Sequence, residues 1–272
     1  MSDSSALPHR PASDPSRERE GGRTPRVLII AGSDSGGGAG IQADIKTVTM
    51  LGGHATTAIT AITAQNTVGV QAVHDVPVEM VLAQIDSVLG DIGADAVKIG
   101  MIGSAAIAEA VADRLAGIGV PIVFDPVMIA TSGSVLADAA TIAAFSRLMA
   151  MATVATPNLP ELTALGGRDA VLALGCHLAE KGGHAEGDTI VDSLWSRAGL
   201  VREVRGERIA TTSTHGTGCT FATALATGLG AGMAIGDAFA RAVAFVRQAL
   251  IAAPGLGQGH GPMGQQFVTD FR

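Results

Sequence analysis

The residues best equipped for chemistry lie late in the chain, in His215-Gly216-Thr217-Gly218-Cys219, which opens an Ala-rich run. Successive backbone N–H groups of a Gly-Thr-Gly loop at a helix N-terminus form a concave site for an anion such as phosphate. Cys219 falls in the first turn, where the helix dipole lowers a thiol pKa; a buried structural cysteine is the ordinary alternative. A second glycine-rich loop, Gly32-Ser33-Asp34-Ser35-Gly36-Gly37-Gly38-Ala39-Gly40, joins an apolar run to the stretch carrying Asp44 and Lys46. It is not a P-loop, because no glycine directly precedes Lys46, and its spacing fails the dinucleotide fingerprint. A plain tight turn and a ligand-cradling loop fit its composition equally. Asp44 is equally a first-turn carboxylate favoured by the helix dipole.

Further candidates stand where apolar runs end. Gln65-Asn66 offers two side-chain amides that can read the donors and acceptors of a heterocycle, although such a pair more often only makes a turn. Lys98, within Val97-Lys98-Ile99-Gly100-Met101, and Asp125, within Asp125-Pro126-Val127-Met128, each put a charge at the carboxyl end of a buried strand. An unpaired charge there is costly, so each is either ion-paired or functional. In Thr156-Pro157-Asn158-Leu159-Pro160-Glu161, Asn158 suits a helix N-cap and Glu161 the reciprocal capping position. Capping is compatible with holding a metal or phosphate. Lys181-Gly182-Gly183-His184 is by itself an ordinary turn.

Regular elements must position these groups. Apolar periodicity predicts strands at 27–31, 56–64, 68–76, 96–99, 120–124, 153–155, 189–192 and 201–204. It predicts helices at 41–51, 78–89, 105–115, 138–151, from 160 to 165, 218–230 and 236–252. The second and third strands read as a pair around Gln65-Asn66. Between Gly166 and Lys181 the signal is too weak to assign. Repeated strand–helix units with short loops predict an α/β fold, a central mostly parallel sheet with helices on both faces in three α/β/α layers. Ligands in such sheets bind beyond the carboxyl ends of the strands. Residues 1–25 read as a disordered tail, 26–255 as one domain and 256–272 as a loose Gly-rich tail.

Composition narrows the function classes. The chain has 272 residues, 47% hydrophobic and only 16% charged, with 36 glycines and no tyrosine, which describes a packed domain with exacting loops. The net charge of −7 leaves no basic surplus, which argues against a nucleic-acid partner. Cys176 and Cys219 form no CxxC motif and read as free thiols of a reducing compartment, the cytoplasm. The first 25 residues lack the apolar core of a secretory signal, and the longest uncharged run, 209–236, is broken by Thr, Ser, Gly and His215. No membrane partner is expected.

Taken together and in order, AGSDSGGGAGIQADIKT, ITAQNTVGV, VKIGM, DPVM, TPNLPE, KGGH and HGTGC resemble the hydroxymethylpyrimidine and phosphomethylpyrimidine kinases of thiamine biosynthesis, among the ribokinase-like kinases. The resemblance runs from residue 31 to residue 219 and takes in all three lysines, Lys46, Lys98 and Lys181. It implies ATP-dependent phosphorylation of hydroxymethylpyrimidine to its monophosphate and then to the diphosphate. The pyrimidine would be held by Asp44 and Gln65, with Gly32, Met101 and Val127 lining its pocket. ATP phosphates would lie against Lys181, Gly182, Gly183 and Asn158, and the Gly216-Thr217-Gly218 loop would hold the transferring group. Asp125 and Glu161 would organise Mg2+, and Cys219 would take the hydroxymethyl proton as a thiolate. The resemblance also implies a homodimer.

One departure from the family pattern predicts a disturbed strand before Lys181: the stretch from Glu161 is shorter by roughly a helix, and Glu180 stands where an apolar residue usually precedes Lys-Gly-Gly-His. The alternatives are a vitamin B6 kinase on the same scaffold and a non-catalytic pyrimidine-binding protein.

Overall fold

The computed structural model describes residues 23–130, 133–184 and 187–271. Strand β1 (Arg26–Asp34) leads into helix α1 (Gly40–Met50), followed by β2 (His54–Gln65), β3 (Val70–Asp75) and α2 (Val78–Asp91). Next come β4 (Ala96–Ile99), α3 (Ala105–Leu115), β5 (Ile122–Phe124), α4 (Ala139–Met151) and β6 (Val154–Ala155). After α5 (Leu159–Ala164) and α6 (Arg168–Ala173), β7 (His177–Glu180), β8 (Thr189–Ser196) and β9 (Gly199–Glu207) complete the strands, and α7 (Thr217–Gly230) and α8 (Ile235–Ile251) close the fold.

All nine strands form one sheet in the order β3-β2-β1-β4-β5-β6-β7-β8-β9. The six central strands run parallel, while β3 on one edge and β8-β9 on the other pair antiparallel. Both faces are covered, so the central strands are mostly apolar, Lys98 of β4 and the threonines of β2 apart, and the two-residue period sends alternate side chains to opposite layers. Leu28 and Ile30 pack with Val97, Ile99 and helices α2 to α4 on one face. Val27, Ile29 and Ala31 pack with α1, α7 and α8 on the other. The three-layer α/β/α architecture follows.

The chain between Glu161 and Lys181 holds two short helices and an ordered strand, so the expected disturbance is absent. Glu180 at the end of β7 is neutralised by Arg168 of α6, N–O 2.7 Å, whose guanidinium lies 3.8 Å from the ring centre of Trp195. The C-terminal segment also departs from expectation. It is packed, not loose: Met263 and Val268 are buried and Phe271 meets Phe245 edge to face at 5.6 Å. The Gly264 N–H donates to the Ala249 carbonyl at 2.9 Å, sealing the end of α8. Of the expected N-terminal tail, residues 1–22 lie outside the described residues. Pro25 is buried, with its carbonyl accepting the His54 N–H at 2.8 Å. No helix among the described residues is long and apolar enough to cross a membrane.

Candidate active site

The two glycine-rich loops lock into one another. Asp34, at the end of β1, accepts N–H bonds from Gly36, Gly38 and Ala39 at 2.8, 3.0 and 2.8 Å, and its Oδ2 lies 2.9 Å from His215 Nε2. Burial pushes its carboxyl upward, but these bonds outweigh it and hold the pKa below the usual range. Two glycines are required by the contact. A Cβ on Gly38 would stand 2.4 Å from the His215 ring, and one on Gly216, at φ +84°, would stand 1.9 Å from the Gly38 carbonyl oxygen. Asp34 and His215 stand in the two motifs singled out from sequence, but their pairing across 181 positions was not foreseen. The signal available was the Gly-Gly-Gly run, which only a close neighbour demands.

Asp44 requires a correction. It is fully buried and does not line the cavity described below; its Oδ2 accepts from Lys98 at 2.8 Å and its Oδ1 from Thr223 at 2.6 Å. The parity of β4 explains the pair: Val97 and Ile99 face α2 and α3, so Lys98 faces α1 and α7, where Asp44 and Thr223 are. Burial works against the Lys98 ammonium, but Asp44 outweighs it and keeps it charged. Both carboxylate oxygens are thus engaged by protein donors, and full burial outside the cavity wall keeps Asp44 from a ligand there.

At the ends of β5, β6 and β7 a charged group assembles. Lys181 Nζ lies 3.1 Å from Asp125 Oδ1, which also accepts from Thr156 at 3.0 Å. Asn158 and Glu161 form a reciprocal capping box on α5, with bonds of 2.9 and 2.8 Å. Burial raises the Glu161 carboxyl, the like charge of Asp125 adds to that, and Lys181 opposes it. For Lys181, burial is outweighed by Asp125 and Glu161, so its pKa stands above the ordinary value. Gly182 is buried and absent from the cavity wall; its N–H donates to Asp192 at 2.9 Å, which removes it from the candidate phosphate ligands.

Cys219 begins α7 as expected, but its thiol is not activated. Burial pushes it up to about 11; Lys98 pulls it down, and the carboxylates of Asp44 and Asp125 push it further up. The dipole of the helix does not overcome that desolvation.

One cavity of about 750 Å3 follows the carboxyl edge of the sheet from β2 to β8. Gly32, Gln65, Met101 and Val127 stand in its wall toward β2, and Asn158, Lys181, Gly183 and the loop 216–219 toward β7. Asp125 and Glu161 line it between them. Sequence reading missed the far wall, where Ile190, Ile209, Val243, Val246 and Leu250 provide an apolar surface and Asp192, Arg208 and Arg247 provide charge. These residues sit in β8, α8 and a loop, outside any glycine-marked motif.

A sequence model of the family described as phosphomethylpyrimidine kinase matches residues 34–264. The chain belongs to this family. As a phosphomethylpyrimidine kinase family member it is a phosphotransferase, and its relatives agree. It is 46% identical over 253 residues to the hydroxymethylpyrimidine/phosphomethylpyrimidine kinase of Streptomyces coelicolor, covering 88% of this chain and 93% of that protein. It is 44% identical to the thiamine biosynthesis bifunctional protein ThiED of Geobacter sulfurreducens, covering 90% of this chain and 53% of that longer protein. The Bacillus subtilis pyridoxal kinase in its ADP complex superposes with a TM-score of 0.81 at 31% identity, covering 90% of this chain and 98% of that one. The kinase fold is therefore ribokinase-like.

Proposed function

We propose that the protein transfers phosphoryl groups from ATP to 4-amino-5-hydroxymethyl-2-methylpyrimidine and then to the resulting monophosphate, as a step of thiamine biosynthesis. The observation that carries this is the cavity along the carboxyl edge of the sheet, with side-chain amide and apolar groups toward β2, an anion loop beside Lys181, and an apolar wall toward β8. Its volume suits two ligands lying end to end.

Gln65, Gly32, Met101 and Val127 bind the pyrimidine. Lys181, Gly183 and Asn158 meet the ATP phosphates, and the adenine lies against Ile190, Val243 and Leu250. Backbone N–H groups of Gly216, Thr217 and Gly218 stabilise charge on the transferring phosphoryl group. The hydroxymethyl oxygen attacks the terminal phosphorus, the bond from that phosphorus to ADP breaks, and the hydroxyl proton passes to Cys219. A thiol at about 11 is mostly protonated at neutral pH, so only its minor thiolate fraction serves as base. In the second transfer the acceptor is already an anion and no base is needed.

Asp125 and Glu161 fit a magnesium ion. They are hard oxygen donors, the charge of Asp125 raises the proton affinity of Glu161, and Asp125 Oδ2 has no hydrogen-bond partner among the described residues. Bound there, magnesium would neutralise phosphate charge. The same reading makes the protein a cytoplasmic homodimer, supported by its free thiols and by the exposed Ile62, Val68 and Val73 at the β2–β3 edge.

Incubation with ATP, magnesium and the pyrimidine, followed by chromatography, should yield mono- and then diphosphate. Faster turnover of pyridoxal would favour the B6 alternative, and folded protein that binds the ring without consuming ATP would reduce the function to binding.

A further inference from the structure

The amide of Gln65 stands in a ring of hydrogen-bonding groups whose protons determine which way round it points. Asp34 is buried, accepts three backbone N–H bonds and is held ionised, the effect of burial being outweighed by His215 and those bonds. An ionised carboxylate 2.9 Å from His215 Nε2 requires a proton on that nitrogen. One end of the Gln65 amide lies 3.3 Å from the same nitrogen. If that end were the NH2 group, two donors would face each other, so it is the carbonyl oxygen; the two ends are isosteric.

The opposite end gives the same answer. The Thr63 hydroxyl lies 3.0 Å from the Ser33 carbonyl and 3.1 Å from the second end of the amide. It has one proton, and a carbonyl at both positions would leave one of them unmet. With the amide turned over, Gln65 donates to Thr63 Oγ1, Thr63 donates to Ser33, and the Gln65 carbonyl shares the His215 proton with Asp34.

We propose that Asp34, His215 and Thr63 are positioning residues that lock the Gln65 amide in this orientation and so set the preference for an aminopyrimidine over a pyridine alcohol. The inference rests on the pyrimidine reading of the cavity. Locked, Gln65 keeps one N–H and one carbonyl lone pair for a ligand, in fixed order. The pyrimidine carries an exocyclic amine beside a ring nitrogen, donor next to acceptor, and satisfies both. The pyridoxal ring nitrogen has only a methyl-bearing carbon and a C–H beside it, so one group of Gln65 stays unpaired. An amide free to turn over would not discriminate in this way.

The test is steady-state kinetics on both rings with His215→Leu, His215→Gln and Thr63→Val. His215→Leu should raise KM for the pyrimidine about tenfold while kcat falls less than about threefold, and should narrow the pyrimidine-to-pyridoxal kcat/KM ratio by a similar factor. His215→Gln, which keeps an N–H donor, should restore most of both. Unchanged KM and ratio would overturn the proposal, as would a common fall in kcat that His215→Gln does not rescue. If His215→Leu does not fold, Thr63→Val gives the same readout.

Side-chain amide NMR of the ligand-free protein decides the orientation without substrate. One Gln65 amide hydrogen should exchange slowly, and Thr63→Val should abolish that protection. Two unprotected hydrogens in the wild type would overturn the lock. A wild type that turns over neither ring, with the amide protected, would overturn the proposed function instead.

Discussion

Lys181 Nζ lies 3.1 Å from Asp125 Oδ1, and a Cβ added to Gly218 would stand 3.2 Å from that nitrogen and 3.3 Å from Asp125 Oδ2. Cation, carboxylate and helix N-terminus therefore meet with no room to spare. Lys181→Met should lower kcat/KM for ATP by about 10²-fold, the size seen when a donor to a developing anion is removed. Gly218→Ala should lose activity to a comparable degree while thermal unfolding changes little. Full activity in both variants would separate this cluster from phosphate transfer.

The Cys219 thiol sets a pH dependence. At about 11, it is ionised to about one part in 10⁴ at pH 7. Deprotonation rises tenfold per pH unit below that value, so kcat/KM for the first transfer should climb steeply between pH 7 and 9. The second transfer should stay nearly flat. Cys219→Ser should abolish the slope of the first step, and a flat wild-type profile would remove Cys219 as the base.

The Lys98–Asp44 pair carries a stability prediction. Both side chains are fully buried. Lys98→Met strands an uncompensated carboxylate and should cost about 3–5 kcal/mol in urea unfolding, whereas Lys98→Met with Asp44→Leu should recover most of that loss. KM for the pyrimidine in the double variant should remain within about threefold of wild type. A tenfold rise with stability intact would return Asp44 to the binding site.

The C-terminal segment contributes to the core. Ending the chain after Pro254 removes the buried Met263 and Val268 and the Phe271 contact with Phe245. At about 1.5–3 kcal/mol for each fully buried side chain, the loss should reach about 3 kcal/mol or more and show as a lower Tm. The same segment donates N–H bonds from Gln258 and Gly259 to Thr67 Oγ1, at 3.2 and 3.3 Å, in the turn that follows Gln65.

Much of this was legible along the chain. Strand β4 and helix α3 fall on their expected boundaries, and most other elements lie within a few residues of them, because their apolar periods are long or bounded by glycine and proline. Helix α6 and strand β7 were not assigned. Each is a single short segment of six and four residues, too brief for a period to show. The site stations were legible for a related reason: Gln65, Met101, Asp125, Asn158 and Lys181 stand at or just beyond the carboxyl ends of strands, and the parallel sheet brings those ends to one edge.

Partnership was another matter. Local sequence determined that the strand-end charges of Lys98 and Asp125 needed a partner or a function, that the loops at 32–40 and 216–218 could approach something closely, and that Cys219 would begin a helix. Only the tertiary structure decided that Lys98 and Asp44 satisfy each other, that the two loops approach one another through Asp34 and His215, and that the thiol is raised. The physical reason is that charge pairing and desolvation depend on which face of the sheet a side chain occupies and on what another segment, 54 or 181 positions away, presents there.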